Sequence, residues 1–157
     1  MGKIGKSVGL MDVIRVRRAL VHDKLNVIGR ELFARARNHD NSAMGSPAVE
    51  VYRRYFANYM EFRPGDPRRE EVIANMAPAI GHHFLANDHH PEHFDKGLDD
   101  MDLIQITHFL ADMMSCSEQE QVDIYELLEM ARNRYSMSDQ VYHILCNSVK
   151  KIKELGR

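Results

Sequence analysis

Residues 102–131, DLIQITHFLADMMSCSEQEQVDIYELLEMA, decide the fold. Asp102 with Gln105 three positions on has the form of a capping box, in which each side chain satisfies a backbone N–H left open at a helix start. Leu103, Ile106, Leu110 and Met113 then recur at three- and four-residue spacing, the period of a helix with one apolar face. Ser117 with Glu120 repeats the signature ahead of Val122, Ile124, Leu127, Leu128 and Ala131, which predicts a second helix.

The same period extends outward in both directions. Ser138 is placed to cap a last helix carrying Val141, Ile144, Leu145, Val149 and Ile152. Upstream, residues 10–37 read as an interrupted helix with Val13, Ile14, Leu20, Val21, Leu25, Ile28, Leu32 and Phe33 on its apolar faces. The stretch NHDNSAMGSP at 38–47 is rich in cap and turn formers and breaks the pattern. Ser46-Pro47 then offers a cap and a proline at the first helical position, with Val49, Tyr52, Phe56 and Tyr59 continuing the helix. After a loop at FRPGDP, Val72, Ile73, Met76, Ile80 and Phe84 mark another helix, kinked or interrupted at Pro78, and NDHHPEHFDKG at 87–97 reads as a loop. β-branched residues nowhere alternate with polar ones over a useful length. The expectation is an all-α protein, a single compact bundle of five to seven helices filling one domain over 1–157, with its core at about 10–154.

Composition narrows the class. A chain of 157 residues with 44% hydrophobic and 28% charged residues can bury a core without disulfides. A net charge of −2 gives no global attraction to nucleic acid or to an anionic membrane. Cys116 and Cys146 are far apart and form neither a disulfide framework nor a zinc-ribbon spacing, which suits thiols in a reducing cytoplasm. Arg15, Arg17 and Arg18 interrupt any secretory h-region, and no stretch approaches the ~18 apolar residues of a membrane span. The reading is a soluble, cytoplasmic protein whose Met-rich helices offer a face for a homodimer.

Histidine is the unusual residue, with nine in the chain and five of them between positions 82 and 93. His39-Asp40 falls where a helix gives way to a loop, so neighbouring side chains that would diverge by ~100° within a helix can converge on one cation. His22-Asp23 is a second copy of the dipeptide, and the plainer reading of either is a surface residue or a capping aspartate. His82 and His83 close a helix, and the loop beyond, with Asp88, His89, His90, Pro91, Glu92 and His93, can fold its imidazoles over the same pocket. A polar loop with histidines as caps is the alternative, but five in so short a span favour a site. Asp112 sits in the apolar run ITHFLADMMSC, where a carboxylate is costly unless paired or metal-bound, and His108 shares its helical face.

Taken in order, His22, His39-Asp40, His82/His83, the histidine loop and Asp112 give H…HD…HH…D on a helical background. This resembles the HD superfamily of metal-dependent phosphohydrolases, and HHFLANDHHPEHF is similar to the HHE…GYP region of its cyclic-dinucleotide phosphodiesterase branch, without the GYP. The chain resembles more closely an uncharacterised family of phage- and bacterium-borne proteins, which shows an early His, HD-x-S-K, HH-x-x-x-N-x-HHPEHF, an aspartate-bearing helix and a final S-D-Q-like segment. Here these are His22, HDNSA at 39–43, HHFLANDHHPEHF at 82–94, Asp112 and YSMSDQ at 135–140, spanning about residues 15–150. Ala43 stands where that family has lysine, and Met113-Met114 where a tryptophan is usual.

The resemblance implies one or two divalent ions (Mn, Fe, Zn, Co or Mg) held by a subset of His22, His39, Asp40, His82, His83, His89, His90 and Asp112. Of the clustered histidines, His83 is the first choice. His22 lies ~25 Å from His39 along an unbroken helix, so it reaches the site only if the chain turns, for instance around Gly29. The implied activity is hydrolysis of a phosphate ester, a nucleotide or related small molecule, with Lys24 and Arg53 (or Arg54) on the phosphate and Asp88, His90 or Glu92 as general acid or base. A non-catalytic protein stabilised by its metal, which Ala43 favours, and a di-iron oxygenase are the alternatives.

Overall fold

The capping box at Asp102 forms as its sequence predicts: the Gln105 N–H donates to Asp102 Oδ1 at 2.8 Å and the Asp102 N–H donates to Gln105 Oε1 at 2.8 Å. The computed structural model describes residues 9–45, 48–63 and 65–156. Its helices are α1 (Leu10–Asn38), α2 (Ala48–Glu61), α3 (Pro67–Ala86), α4 (Leu103–Glu120), α5 (Ile124–Arg134) and α6 (Asp139–Leu155). Short 3₁₀ turns stand at Asn41–Met44, Pro91–His93 and Gly97–Asp100, and there is no strand among the described residues. The protein is all-α, as the periodicity requires.

Ser117 does not cap a helix. α4 continues past it to Glu120 and stops where Gln121 takes the left-handed conformation, φ 54°. Ser117 Oγ donates to the Val122 carbonyl at 2.7 Å, closing that end, and Asp123 caps α5 by accepting from the Tyr125 N–H at 2.8 Å. Ser138 caps α6 as expected, accepting from the Val141 N–H. Ser46 and Pro47 lie outside the described residues, and α3 runs continuously through Pro78.

Contacts divide the chain into two units, Met1–Arg37 and Asn38–Arg157. The first contains α1, which is unbroken across Gly29 and buries none of its residues. The interruption read from the sequence is absent, because one interior glycine costs only about 1 kcal/mol, too little to break so long a helix.

In the second unit the core joins α4, α5 and α6. Phe109 and Leu110 pack with Ile124, Leu128, Ala131, Met137, Leu145 and Val149, and Leu128 and Val149 have no exposed surface at all. Burying each such side chain contributes roughly 1.5–3 kcal/mol. α2 pairs with α3. The inward stripe of α3 is Arg69, Val72, Met76, Ala79 and His83, spaced by three and four, so the periodicity that buries an arginine near one end buries a histidine near the other. Asp66 caps this helix, accepting from the Arg68 N–H at 2.9 Å. No helix among the described residues is long and apolar enough to cross a membrane.

Candidate metal centre

α1 ends at Asn38, and Asp40 takes a left-handed conformation with φ 57°, tolerable for an aspartate, before the 3₁₀ turn Asn41–Met44 begins. This reversal leaves His39 Nε2 and Asp40 Oδ2 3.5 Å apart, each in a different one of two neighbouring groups of ligand atoms. His83 comes from the last turn of α3, His89 and His90 from the loop after it, and His108 and Asp112 from one face of α4.

Two overlapping groups of ligand atoms result. Asp40, His83, His89 and His90 place one donor atom each within 4.8 Å of one another, and His39, His89 and His108 do the same. Asp40 Oδ1 is 3.5 Å from both His83 Nε2 and His89 Nε2, and His83 Nε2 is 2.9 Å from His90 Nε2. Around a first-row ion with bonds near 2.05 Å, neighbouring ligand atoms lie about 2.9 Å apart in an octahedron and about 3.3 Å in a tetrahedron. In the second group His39 Nδ1 is 3.0 Å from His108 Nε2, and His39 Nε2 lies 3.4 Å from Asp112 Oδ1 and 3.5 Å from Asp40 Oδ2.

The electrostatics fit a cation. Asp40 Oδ1 and His89 Nε2 are buried and have no hydrogen-bond partner. Such orphans are rare in native interiors, and a carboxylate oxygen facing imidazole nitrogens is satisfied by an ion between them. Burial, with the neighbouring histidines, pushes His89 down to about 3 and His90 down to about 4. Both are therefore neutral at pH 7, the ligand form of imidazole. His39 is raised by its hydrogen bond to Asp112, against burial, with Asp40 and Asp112 adding their charge. Burial pushes the Asp112 carboxyl up, but His39, His90 and His89 outweigh it and hold it below the usual range.

Other polar contacts hold the loop in place. Asn87 Nδ2 donates to Ser42 Oγ and to the His83 carbonyl, each at 2.6 Å. Gln105 Nε2 donates to Asp88 Oδ2 at 2.9 Å, so the capping box of α4 also anchors the loop. Glu92 Oε1 accepts from Arg134 at 2.6 Å and from Tyr135 at 2.8 Å, and the His93 ring donates to the Leu85 carbonyl at 2.8 Å.

The structure thus brings together His39, Asp40, His83, His89, His90 and Asp112. His22 and His82 belong to no ligand group among the described residues: His22 is exposed on α1 beside Asn26, and His82 points away from the buried stripe that holds His83. Of the acid–base candidates, His90 is in the cluster, while Asp88 and Glu92 are fasteners of the loop. Lys24 is exposed on α1, and Arg53 is exposed on α2 with Glu50 at 3.0 Å. Sequence reasoning missed His108 as a ligand; its place one turn before Asp112 was the signal. It also missed Tyr52 of α2, whose hydroxyl is raised by burial and by the charge of Asp40. Cys116 is a free thiol pushed up to about 12 by burial and by Asp112, Glu120 and Asp40, and it joins no ligand group among the described residues.

Fold and site together define an all-helical protein with a histidine-rich cluster able to hold a metal ion. Residues 10–151 match a family of unknown function, DUF5662, and the chain belongs to that family. No curated protein and no solved structure shows significant similarity to it.

Proposed function

We propose that this chain is a metal-dependent phosphohydrolase of the HD type, acting on a phosphate ester such as a nucleotide. The observation that carries the proposal is the convergence of Asp40 with His83, His89 and His90, beside His39, His108 and Asp112, around buried atoms without hydrogen-bond partners. The order of these residues along the chain, H–D at a helix end, then histidines, then an aspartate on a later helix, supports the HD kinship.

The two overlapping ligand groups accommodate one or two ions, and a donor set this rich in imidazole favours Zn, Fe, Co or Mn over Mg. A bound divalent ion supplies acidified water at neutral pH and neutralises charge on phosphoryl oxygens. Asp40 and Asp112 contribute the negative charge that attracts the ion, and neutral His89 and His90 bind without first losing a proton. Asp88 and Glu92 keep the loop closed over the cluster through Gln105, Arg134 and Tyr135. Arg53, next to Tyr52 on α2, is the phosphate contact this reading retains. A cytoplasmic homodimer belongs to the same proposal, supported by free Cys116 and Cys146 and by exposed Val13, Leu20, Leu25 and Phe33 on α1.

Elemental analysis of the purified protein, followed by a phosphatase screen with nucleotides and p-nitrophenyl phosphate under several divalent ions, tests this. Bound metal, turnover, and loss of both in Asp40→Ala and Asp112→Ala are expected. Absence of metal sinks the centre. Stoichiometric metal without turnover, with unfolding on chelation, replaces the hydrolase with a metal-stabilised interaction protein. Iron with O₂-dependent turnover replaces it with an oxygenase.

A further inference from the structure

His83 presents its two ring nitrogens to side chains of different segments, only one of them on the cluster side. Nε2 faces the cluster, 2.9 Å from His90 Nε2 and 3.5 Å from Asp40 Oδ1. Nδ1 faces away from it, 3.1 Å from Ser42 Oγ and 3.1 Å from Asn87 Nδ2. The ring is buried, with 9% of the residue exposed, so water does not freely make up for a wrongly placed proton.

A neutral imidazole carries one proton, and the partners of Nδ1 decide where it sits. Asn87 Nδ2 has two hydrogens and two good acceptors, the His83 carbonyl and Ser42 Oγ, each at 2.6 Å. Its amide is oriented by that carbonyl and has no hydrogen left for the ring. Ser42 Oγ uses one lone pair on Asn87 and keeps the other, 3.1 Å from Nδ1, for a ring N–H. On the opposite side Nε2 meets His90 Nε2 at 2.9 Å and Asp40 Oδ1 accepts no hydrogen bond; a cation held by the cluster takes the Nε2 lone pair and so requires the ring proton on Nδ1.

We propose that Ser42 and Asn87 are positioning residues that hold the His83 proton on Nδ1, leaving the Nε2 lone pair aimed at the cluster. Asn87 donates to Ser42 and holds its hydroxyl oxygen 3.1 Å from Nδ1, where the remaining lone pair accepts Nδ1–H when Nε2 is a ligand. Neither residue touches the ion. The turn that carries Asp40 also carries Ser42, so one short segment supplies a ligand and orients a second. This rests on the metal-centre reading, and partners of this kind typically contribute 10–100-fold in metal affinity.

The test uses the full chain, stripped of metal and titrated with Co(II) by absorbance and with Zn(II) by competition. Ser42→Ala and Asn87→Ala are each expected to weaken binding 10–100-fold, and Ser42→Thr to stay within a few-fold of the parent. The distinguishing readout is the ¹⁵N spectrum of the metal-free imidazoles. It should show His83 as the Nδ1–H form in the parent and in Ser42→Thr, and as a mixture of tautomers in Ser42→Ala. Affinity and tautomer both unchanged in Ser42→Ala and Asn87→Ala overturn the proposal, as does weakened binding with an unshifted tautomer. His83→Ala separates the levels: if it too leaves metal binding intact, the metal-centre reading fails first.

Discussion

α3 carries a buried polar residue towards each end of its inward stripe, and the two ends are finished in opposite ways. At Arg69 the guanidinium donates to Glu120 at 2.6 Å and to the Phe62 carbonyl at 2.8 Å, and it lies 3.9 Å from the centre of the Tyr59 ring. Tyr59 donates to the same Glu120 oxygen at 3.0 Å, and burial followed by that carboxylate pushes its hydroxyl up to about 12. At His83 the carboxylate oxygen of Asp40 and the ring nitrogen of His89 are buried with no partner. A closed polar cluster ties helices together. An open one, costly as it stands, is where a cation belongs.

The sharpest way to break this contrast is to open the closed end. Glu120→Ala leaves a buried guanidinium without its carboxylate and should cost about 3–5 kcal/mol in urea unfolding. Asp40→Ala in metal-free protein should cost far less, because Oδ1 has no hydrogen bond to lose. Equal losses in the two variants would make both clusters architectural and end the comparison.

Metal loading should close the open end and leave the other untouched. An ion at 100 times its dissociation constant stabilises the fold by about 2.7 kcal/mol, visible as a rise in Tm that a chelator reverses. Asp112→Ala should abolish the rise. Glu120→Ala should keep it on a lower baseline, since the two sites share no partner.

The same contrast explains what could be read in advance. Capping at Asp102 and Ser138 was legible because local hydrogen bonding decides it. Ser117 misled because the same residue type can close a helix end by donating to a carbonyl beyond it, a choice set by the left-handed Gln121. His83 was readable in principle, as it continues the spacing of Val72, Met76 and Ala79, whereas adjacent His82 lies ~100° away around the helix. His89 and His90 sit on a loop with no period to consult, and their placement depends on fasteners up to 43 positions away in sequence, such as the Tyr135–Glu92 bond. The role of Ser42 and Asn87 required knowing which ring nitrogen they meet.

Acid should act on the open end before the closed one. His89 and His90 are depressed by burial, to about 3 and about 4, so between pH 6.5 and about 4 the unfolded chain binds protons that the folded chain refuses. Stability of the metal-free protein should therefore fall as pH drops through that window. His39 works the other way: its raised pKa gives stability that is complete below 6.5 and is lost as pH rises through its folded value, a partial offset. Urea midpoints between pH 7.5 and 4.5 check the sign. His90→Gln should flatten the acid limb, and a limb unchanged by it would remove the imidazoles as its cause.

The smallest effect tests where the two kinds of structure meet. Gln105 belongs to the capping box of α4, a feature of the fold, yet its amide also donates to Asp88 at the root of the histidine loop. Gln105→Ala removes both bonds, each worth about 0.5–1.5 kcal/mol net, so global stability should fall by about 1–3 kcal/mol. The local consequence should be larger than that figure suggests. The loop amides of His90 and His93, which donate to the Asn87 and His90 carbonyls at 3.2 and 3.0 Å, depend on the fastening. Their hydrogen exchange should speed up several-fold beyond the global change, while amides around Leu128 and Val149 follow the global change alone. Uniform acceleration across both sets would mean that the loop has no stability of its own to lose. Selective acceleration would show that a helix cap, legible from four letters of sequence, also holds the imidazoles in position.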